Sequence, residues 1–456
     1  MVVRLLRAAL CYTLSVQLIQ QPVMAHAQAL KADSDGPMID AAPNGVPLVN
    51  IVTPNAAGVS HNRFRDFNVG TEGVILNNSQ AAGQSRLGGA TYGNPALQQG
   101  AARLILNEVT GTSRSALAGP TEIFGRSADY ILANPNGITC DGCGFINTPR
   151  ATLTTGSPLL DPEGRLQGLS VSRGDIRIGP GGIDATNLDA FDLVARSVSL
   201  DGPVHTRDLG IAAGRLHFDY ATRTATATGG HGEATGYAID SRLLGGMYAD
   251  RIHLIATDAG VGVRMAGDMA SGAAGLTLSA DGHISLAGAA ASRGSLSVTS
   301  RSGALDVLGA VHGDGEAELD AADVLSVGDQ ASVTASGALT LRARSAVVDG
   351  ALTAGTLASD GTQGPAADLS AAVEDALVLG GRLGSTGGMA LTAGGATEVT
   401  TPGRIEAEGD VALTTGSLNH AGEIRSGGSL TIASGGAAVL SGSTASADAT
   451  RPPPPI

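Results

Sequence analysis

The feature that most constrains this chain is a repeat. Gly-x-apolar-x-apolar recurs at Gly294, Gly315, Gly337, Gly387, Gly409 and Gly428, at spacings of 21, 22, 50, 22 and 19 residues. With 66 glycines present, glycine spacing alone would carry no inference; the same two apolar positions after each one do. Gly275 fits with a one-residue slip, and the 50-residue gap holds two long coils, weakly marked at Gly355. Leu296-Ser-Val298, Leu305-Asp-Val307, Leu339-Thr-Leu341 and Leu430-Thr-Ile432 alternate with the strand period, separated by Gly, Ser, Asp and Asn, and helical stripes are hard to find. A unit of about 20 residues with two or three short strands cannot bury its inner face alone, so it needs neighbours above and below. The expected fold is all-β: a parallel β-helix, a single-chain solenoid with inward Val, Leu and Ile in columns and turn glycines supplying corners at positive φ. A β-sandwich would need longer strands and tight Asn-Gly or Asp-Gly hairpins bracketed by long alternations, which this sequence lacks. Residues 361–378 break the period and are expected to form an extra loop or a short helix.

Composition then removes whole classes of function. Glycine stands at about twice the usual ~7% while mean hydropathy stays slightly positive, which argues against a disordered polar chain and against a collagen-like array. Aromatic residues are 3% of the chain, net charge is −14 and Lys31 is the only lysine, so neither stacking platforms nor a basic footprint exist for nucleic acid. The sequence contains no H-E-x-x-H and no G-x-S-x-G, the core motifs of zincins and serine hydrolases. Arg173-Gly174-Asp175 spells an integrin-type tripeptide ahead of a strand-like Ile176-Arg-Ile178.

The N-terminus reads as an export signal. Arg4 and Arg7 precede an apolar stretch from Ala8 to Ile19, too short for a membrane span, and Ala25-His26-Ala27 offers an A-x-A site with Gln28 as the first mature residue. Ala27-Gln28-Ala29 is the close alternative, and an N-terminal core helix is the structural one. Processing at Ala27 leaves Cys140 and Cys143 as the only cysteines. No second C-x-x-C or His pair completes a zinc site, and no βαβ pattern supports a redox motif, so a local disulfide in an oxidising compartment is the expectation, with no metal and no cofactor.

From Asn44 to about Gly267 the texture changes. Asn44-Gly-Val-Pro-Leu-Val-Asn-Ile51, Gly58-Val-Ser-His-Asn-Arg-Phe-Arg-Asp-Phe-Asn-Val-Gly70 and Ala133-Asn-Pro-Asn-Gly-Ile-Thr-Cys-Asp-Gly-Cys-Gly-Phe-Ile-Asn147 stand here, followed by Ala238–Asp250 and Thr257–Val263. These segments resemble the secretion domain of two-partner-secretion exoproteins of the filamentous haemagglutinin group. The resemblance implies recognition in the periplasm by an outer-membrane barrel with soluble periplasmic modules, folding outside as a right-handed parallel β-helix, and adhesion as the downstream role. Asn134, Pro135, Asn136, Gly137 and Ile138 match the family's Asn-Pro-Asn-Gly secretion motif. Asn94, Pro95 and Leu97 fall on its Asn-x-Asn-Leu motif, with Ala96 in the third place. Asn-Pro-Asn-Gly is also a turn by its own chemistry, so it either is read by the transporter or only stabilises a corner.

The expected organisation is a signal peptide at 1–27, a capped secretion domain at 28–267, β-helix repeats at 268–445 and a proline-rich tail at 446–456. The expected function is a secreted or surface-associated adhesin, without enzymatic activity, that meets an unidentified host glycan or receptor. The alternative is a β-helix polysaccharide-degrading enzyme, which would want paired carboxylates and sugar-stacking aromatics. A self-secreting autotransporter would need a C-terminal barrel, for which the sequence here offers no strands.

Overall fold

Three parallel ladders carry the chain. The first begins at Val59–Phe67 and passes through Asp129–Ala133, Arg251–Ala256 and Leu296–Ser300 to Leu430–Ser434. The second runs from Ser115–Leu117 to Ala438–Leu440, and the third from Pro47–Asn50 to Ser443–Ser446. The computed structural model describes residues 30–229, 236–362 and 364–447; the expected signal peptide with Ala25, Ala27 and Gln28, and the proline run after Ala447, lie outside them. Each rung pairs with the next one coil later, as Leu276 with Leu296 and Leu296 with Ala317. The chain is a parallel β-helix with three faces.

Strand alternation makes the core. Leu254, Leu278, Val298, Leu319, Leu341, Ala371, Leu391 and Leu413 lie in one inward column, each paired with its neighbour across a rung and each buried. All six Phe lie before residue 219, and Tyr130, Phe145 and Phe191 make tilted ring contacts inside the N-terminal coils at centroid distances of 5.2 and 6.0 Å. Beyond Tyr248 the sequence has no Phe, Tyr or Trp, so the interior there is filled mainly by aliphatic side chains. Among the described residues no helix is long and apolar enough to cross a membrane.

The first coil has a covered edge. Leu30–Ala32 pairs antiparallel with Val59–Phe67, and Met38–Ala41 pairs antiparallel with Pro47–Asn50, so the edges that would accept an earlier rung are occupied. Two additions sit outside the helix that the repeat pattern does not announce. A small hairpin, Gly83–Ser85 with Gly89–Thr91, is tied to the helix by buried Glu122, which accepts from Ser85 Oγ (2.7 Å) and from the Arg86 and Leu87 amides (2.8 Å each). An antiparallel sheet of Ser157–Leu160, Leu166–Val171, Leu216–Asp219 and Ala225–Ala227 packs Leu169, Val171 and Phe218 over Val194 and Ala212 of the first face.

Two expectations about the repeats need correction. None of the six repeat glycines has positive φ; in the repeat region that conformation is found at Gly275, Gly355 and Gly361. The repeat glycines instead stack on one another, with Gly315 N on Gly294 O (3.1 Å), Gly337 N on Gly315 O (3.0 Å) and Gly409 N on Gly387 O (2.9 Å). A Cβ on Gly315 or Gly337 would lie 3.0–3.1 Å from the glycine backbone one coil earlier. Close approach, not handedness, demands glycine here. The second correction concerns the 50-residue gap: its second coil starts at Leu369–Val373 rather than after Gly355. The described residues between 355 and 368 form a loop with no helix, and Leu377–Leu379 is already strand, so the break in period is narrower than 361–378 suggests.

Candidate functional site

One coil, 129–149, has a specially built corner at each of its three bends. Strand Asp129–Ala133 on the first face ends in Asn134, and strand Ile138–Cys140 on the second face begins after Gly137. Pro135 presets the turn, and Gly137 takes φ +108° and donates its amide to Asn134 O (3.0 Å). A Cβ on Gly137 would also lie 2.7 Å from the Arg114 guanidinium.

Asn134 is fully buried and uses both ends of its amide. Its Nδ2 donates to Ser113 O (3.0 Å) and Ser115 Oγ (2.9 Å), while Oδ1 accepts from Asn136 N and Nδ2 (3.0 Å each). Asn136 Nδ2 also donates to Gly111 O (2.9 Å). Ile138 and Gly137 are buried, so the surface of the motif consists of half-buried Pro135 and Asn136. Below the turn, Arg114 Nη1 donates to Ile138 O (3.0 Å) and Asp175 O (3.1 Å), and its guanidinium pairs with the Asp175 carboxylate. Gly174 sits under Pro135, where φ is +81° and a Cβ would lie 2.6 Å from the proline carbonyl oxygen. Two members of the Arg173-Gly174-Asp175 tripeptide thus support the Asn-Pro-Asn-Gly corner, with Arg173 alone exposed.

The next bend carries Cys140 and Cys143, both buried and joined in a disulfide with Cα atoms 5.4 Å apart. It bridges the second and third faces around Asp141 and Gly142, and Asp141 Oδ1 accepts from Gly181 N (2.6 Å) in the following coil. The third bend is Asn147, at φ +61°, whose Nδ2 donates to Ile123 O (2.7 Å) and Gly125 O (3.0 Å) one coil back. Burial pushes the Asp129 carboxyl up from its usual value at the start of this coil, opposed by the Tyr220 hydroxyl donating to it at 3.2 Å.

Asn94 belongs to a different corner and shares no hydrogen-bond partner with the 134–138 turn. It caps the short 3-10 turn Pro95–Leu97, accepting from Ala96 N (2.9 Å) and donating to Ile51 O (2.8 Å) and Asn77 O (3.0 Å). Leu97 is buried and Pro95 exposed. Ala96 contributes through its backbone, its carbonyl accepting from Thr53 Oγ1 (2.8 Å), which is why alanine in the motif's third place leaves the local turn intact.

The sequence reading missed a set of buried asparagines. Asn50, Asn62, Asn77, Asn78, Asn94, Asn107 and Asn134 are each at most 3% exposed. Asn77 Nδ2 donates to Asn50 Oδ1 (2.8 Å), and Asn78 binds Ala102 through both its oxygen (2.7 Å) and its Nδ2 (3.0 Å). Most of them follow an apolar run, as in Leu-Val-Asn50, Ile-Leu-Asn77 and Leu-Ala-Asn134, and that placement was the available signal. Arg114, Ser113 and Ser115 carried none. No group of three His, Cys, Asp or Glu side chains suited to a metal occurs among the described residues.

These features define a β-helical domain closed at its N-terminal end, with one coil pinned at its corners by side-chain hydrogen bonds and a disulfide. A family model described as the TPS secretion domain matches residues 24–286, and the chain belongs to that two-partner-secretion family. It is 44% identical over 299 residues to filamentous hemagglutinin of Bordetella pertussis, covering 64% of this chain and 8% of that protein. It is 46% identical over 279 residues to a tRNA nuclease CdiA of Escherichia coli, covering 61% of this chain and 8% of that one. With a 16S rRNA endonuclease CdiA of Enterobacter cloacae the identity is 41% over 369 residues, 79% of this chain and 10% of the relative. The chain thus spans about a tenth of the length of these curated relatives. A crystal structure of a filamentous hemagglutinin secretion domain aligns with a TM-score of 0.55 and 40% identity, over 67% of this chain and 97% of that one. Exoproteins of these families are secreted across the outer membrane to the cell surface or beyond, and the secretion domain implies a partner transporter in that membrane. The region shared with the CdiA nucleases is the secretion domain.

Proposed function

We propose that this chain is the leading part of an adhesin of the filamentous haemagglutinin type, exported by an outer-membrane transporter that reads the segment 134–138 and acting without catalytic chemistry. The observation that carries the reading is the dual character of the Asn-Pro-Asn-Gly corner. In the folded coil Asn134, Gly137 and Ile138 are inside, so a transporter that reads them does so before the coil closes. Afterwards the same residues hold the bend. Asn94, Pro95 and Leu97 are a second segment for such contact, and the burial of Asn94 and Leu97 has the same consequence. The proposed units remain a signal peptide through Ala27, a secretion domain to about residue 267 and a display stalk of repeats beyond it.

Coexpression with the partner transporter tests this. Secretion should require the transporter, and secreted protein should bind host cells without cleaving uronate polymers. Polymer cleavage would favour the polysaccharide-degrading alternative. One observation favours a second reading, that the same leading domain exports a toxin: relatives bearing the name tRNA nuclease match it at 45–47% identity. Nuclease activity in the full secreted product would establish that reading over adhesion.

A further inference from the structure

The sheet outside the helix ends in a ledge. It covers the first face as far as Asp208–Ala213 and leaves the outward side of the next rung, Arg251–Ala256, at its lip. There a cavity of about 290 Å³ opens, bounded by the face below and by the 222–224 turn of the added sheet at the side. That volume lies at the small end of ligand pockets, ~300–1,000 Å³, and suits a single ring.

Its charges are arranged, not scattered. Asp192, 1% exposed, is held by Arg150 Nε (2.8 Å) and by Arg223 Nη2 (2.8 Å). Arg223 reaches it because Gly210 lies between the Asp192 and His253 rungs; a Cβ there would come within 2.5 Å of the carboxylate and 2.9 Å of the guanidinium. Arg223 Nη1 also pairs with Asp208 (2.9 Å), so this arginine is fully engaged. Arg251 is not. It gives Nη1 to Asp208 (3.1 Å), is 54% exposed, and its Nε and Nη2 have no hydrogen-bond partner among the described residues. The His253 ring beside it has no hydrogen-bond partner among the described residues and is half-buried. Burial, then the neighbouring Arg223, hold the imidazole below its ordinary value, so at neutral pH it keeps a free lone pair. Ile255 adds an apolar strip to the lining.

An unpaired guanidinium edge, a neutral imidazole and an aliphatic floor around one ring-sized space complement a ring that has an acid, hydroxyls and a C–H face. We propose that this ledge binds a carboxylate-bearing monosaccharide, with the carboxylate on Arg251, a ring hydroxyl on His253 and the C–H face over Ile255. The site is separate from the 134–138 turn. It draws on the adhesin reading only for its biological use, so its failure leaves transporter recognition untouched.

The test titrates the secreted full chain with methyl glucuronide and with methyl glucoside, which differ only in the carboxylate, and reads binding by calorimetry and NMR. The glucuronide should bind at least tenfold more tightly than the glucoside and than acetate. Arg251→Gln and His253→Ala, both outward-facing, should each weaken glucuronide binding at least fivefold with an unchanged melting temperature. Equal binding of the two glycosides, acetate binding as tightly as the glucuronide, no binding at all, or affinity indifferent to both substitutions would overturn the proposal. If Arg251→Gln lowers the melting temperature, His253→Ala decides by itself.

Discussion

At the scale of single residues, burial separates two asparagines that look alike in the sequence. Asn134 makes its hydrogen bonds in the interior, where unsatisfied partners cost about 1–3 kcal/mol. Asn136 sits half-exposed, and a lost turn bond there is worth about 1 kcal/mol. Asn134→Ala should therefore lower the melting temperature and secretion together. Asn136→Ala should leave a nearly native melting curve, and if the transporter reads the segment it should still abolish secretion. Normal export of Asn136→Ala and of a Pro135→Ala variant would show that the corner is structural only. Glu108 gives a residue-scale dependence on pH. Its carboxylate accepts from His61 Nε2 at 2.8 Å, and that bond holds it below the ordinary glutamate value of 4.5. A carboxyl depressed in the folded state stabilises above its unfolded value and loses that contribution as pH falls through the folded one. Glu108→Gln should thus be less stable than the parent at pH 6, by up to about 1 kcal/mol for a part-exposed pair. The difference in melting temperature should shrink as the pH is lowered to about 3.

At the scale of elements, what could be read in the sequence and what could not divides along the two glycine columns. The column from Gly294 to Gly428 announced itself because two apolar residues follow each glycine, both of them large at every position but Gly315. A second column, Gly267, Gly288, Gly309, Gly350, Gly381, Gly403, Gly422 and Gly442, turns the chain into the third face and went unread. There the second inward position is small: Ala354 follows Leu352, Ser385 follows Leu383, Ala407 follows Ile405 and Ser426 follows Ile424. The inward serines turn their hydroxyls onto corner carbonyls, Ser385 on Gly387 (3.2 Å) and Ser426 on Gly409 (2.9 Å), so a search for two apolar residues passes over them. The added sheet was illegible for a different reason: its strands carry no repeat, and their apolar side faces the outside of a rung. For Gly288 a Cβ would lie 2.5 Å from the Gly267 carbonyl oxygen and 2.8 Å from that of Ala266, both backbone atoms of the preceding coil that cannot rotate away as a side chain would. Gly288→Ala should cost about 1–3 kcal/mol, as overpacking does. Ala289→Ser, one residue on and exposed, should stay within about 0.5 kcal/mol. Urea midpoints of the two variants would check the contrast. The Cys140–Cys143 bridge belongs to this scale too: both thiols of secreted protein should resist alkylation until reduced, read as mass shifts on the peptide.

At the scale of the molecule, stability should vary along the stack, because each rung contacts only its neighbours. The 129–154 coils have asparagine corners, a disulfide and packed aromatic rings, whereas Ala438–Leu440 in the last described rung is exposed throughout. Hydrogen exchange should be slowest at Asp129–Ala133 and Arg150–Thr154 and should quicken steadily toward Leu430–Ser446; uniform protection along the stack would contradict this.

The antiparallel strands over the first coil, Leu30–Ala32 and Met38–Ala41, give the stack a direction. With that end blocked, rungs are added at one end only, as in a filament whose other tip is plugged. Chains that share this start can differ tenfold in length with no change in how they begin. Sheet growth cannot run backward into the start of another copy, and a partly folded chain has one templating edge, the one its own next residues will fill.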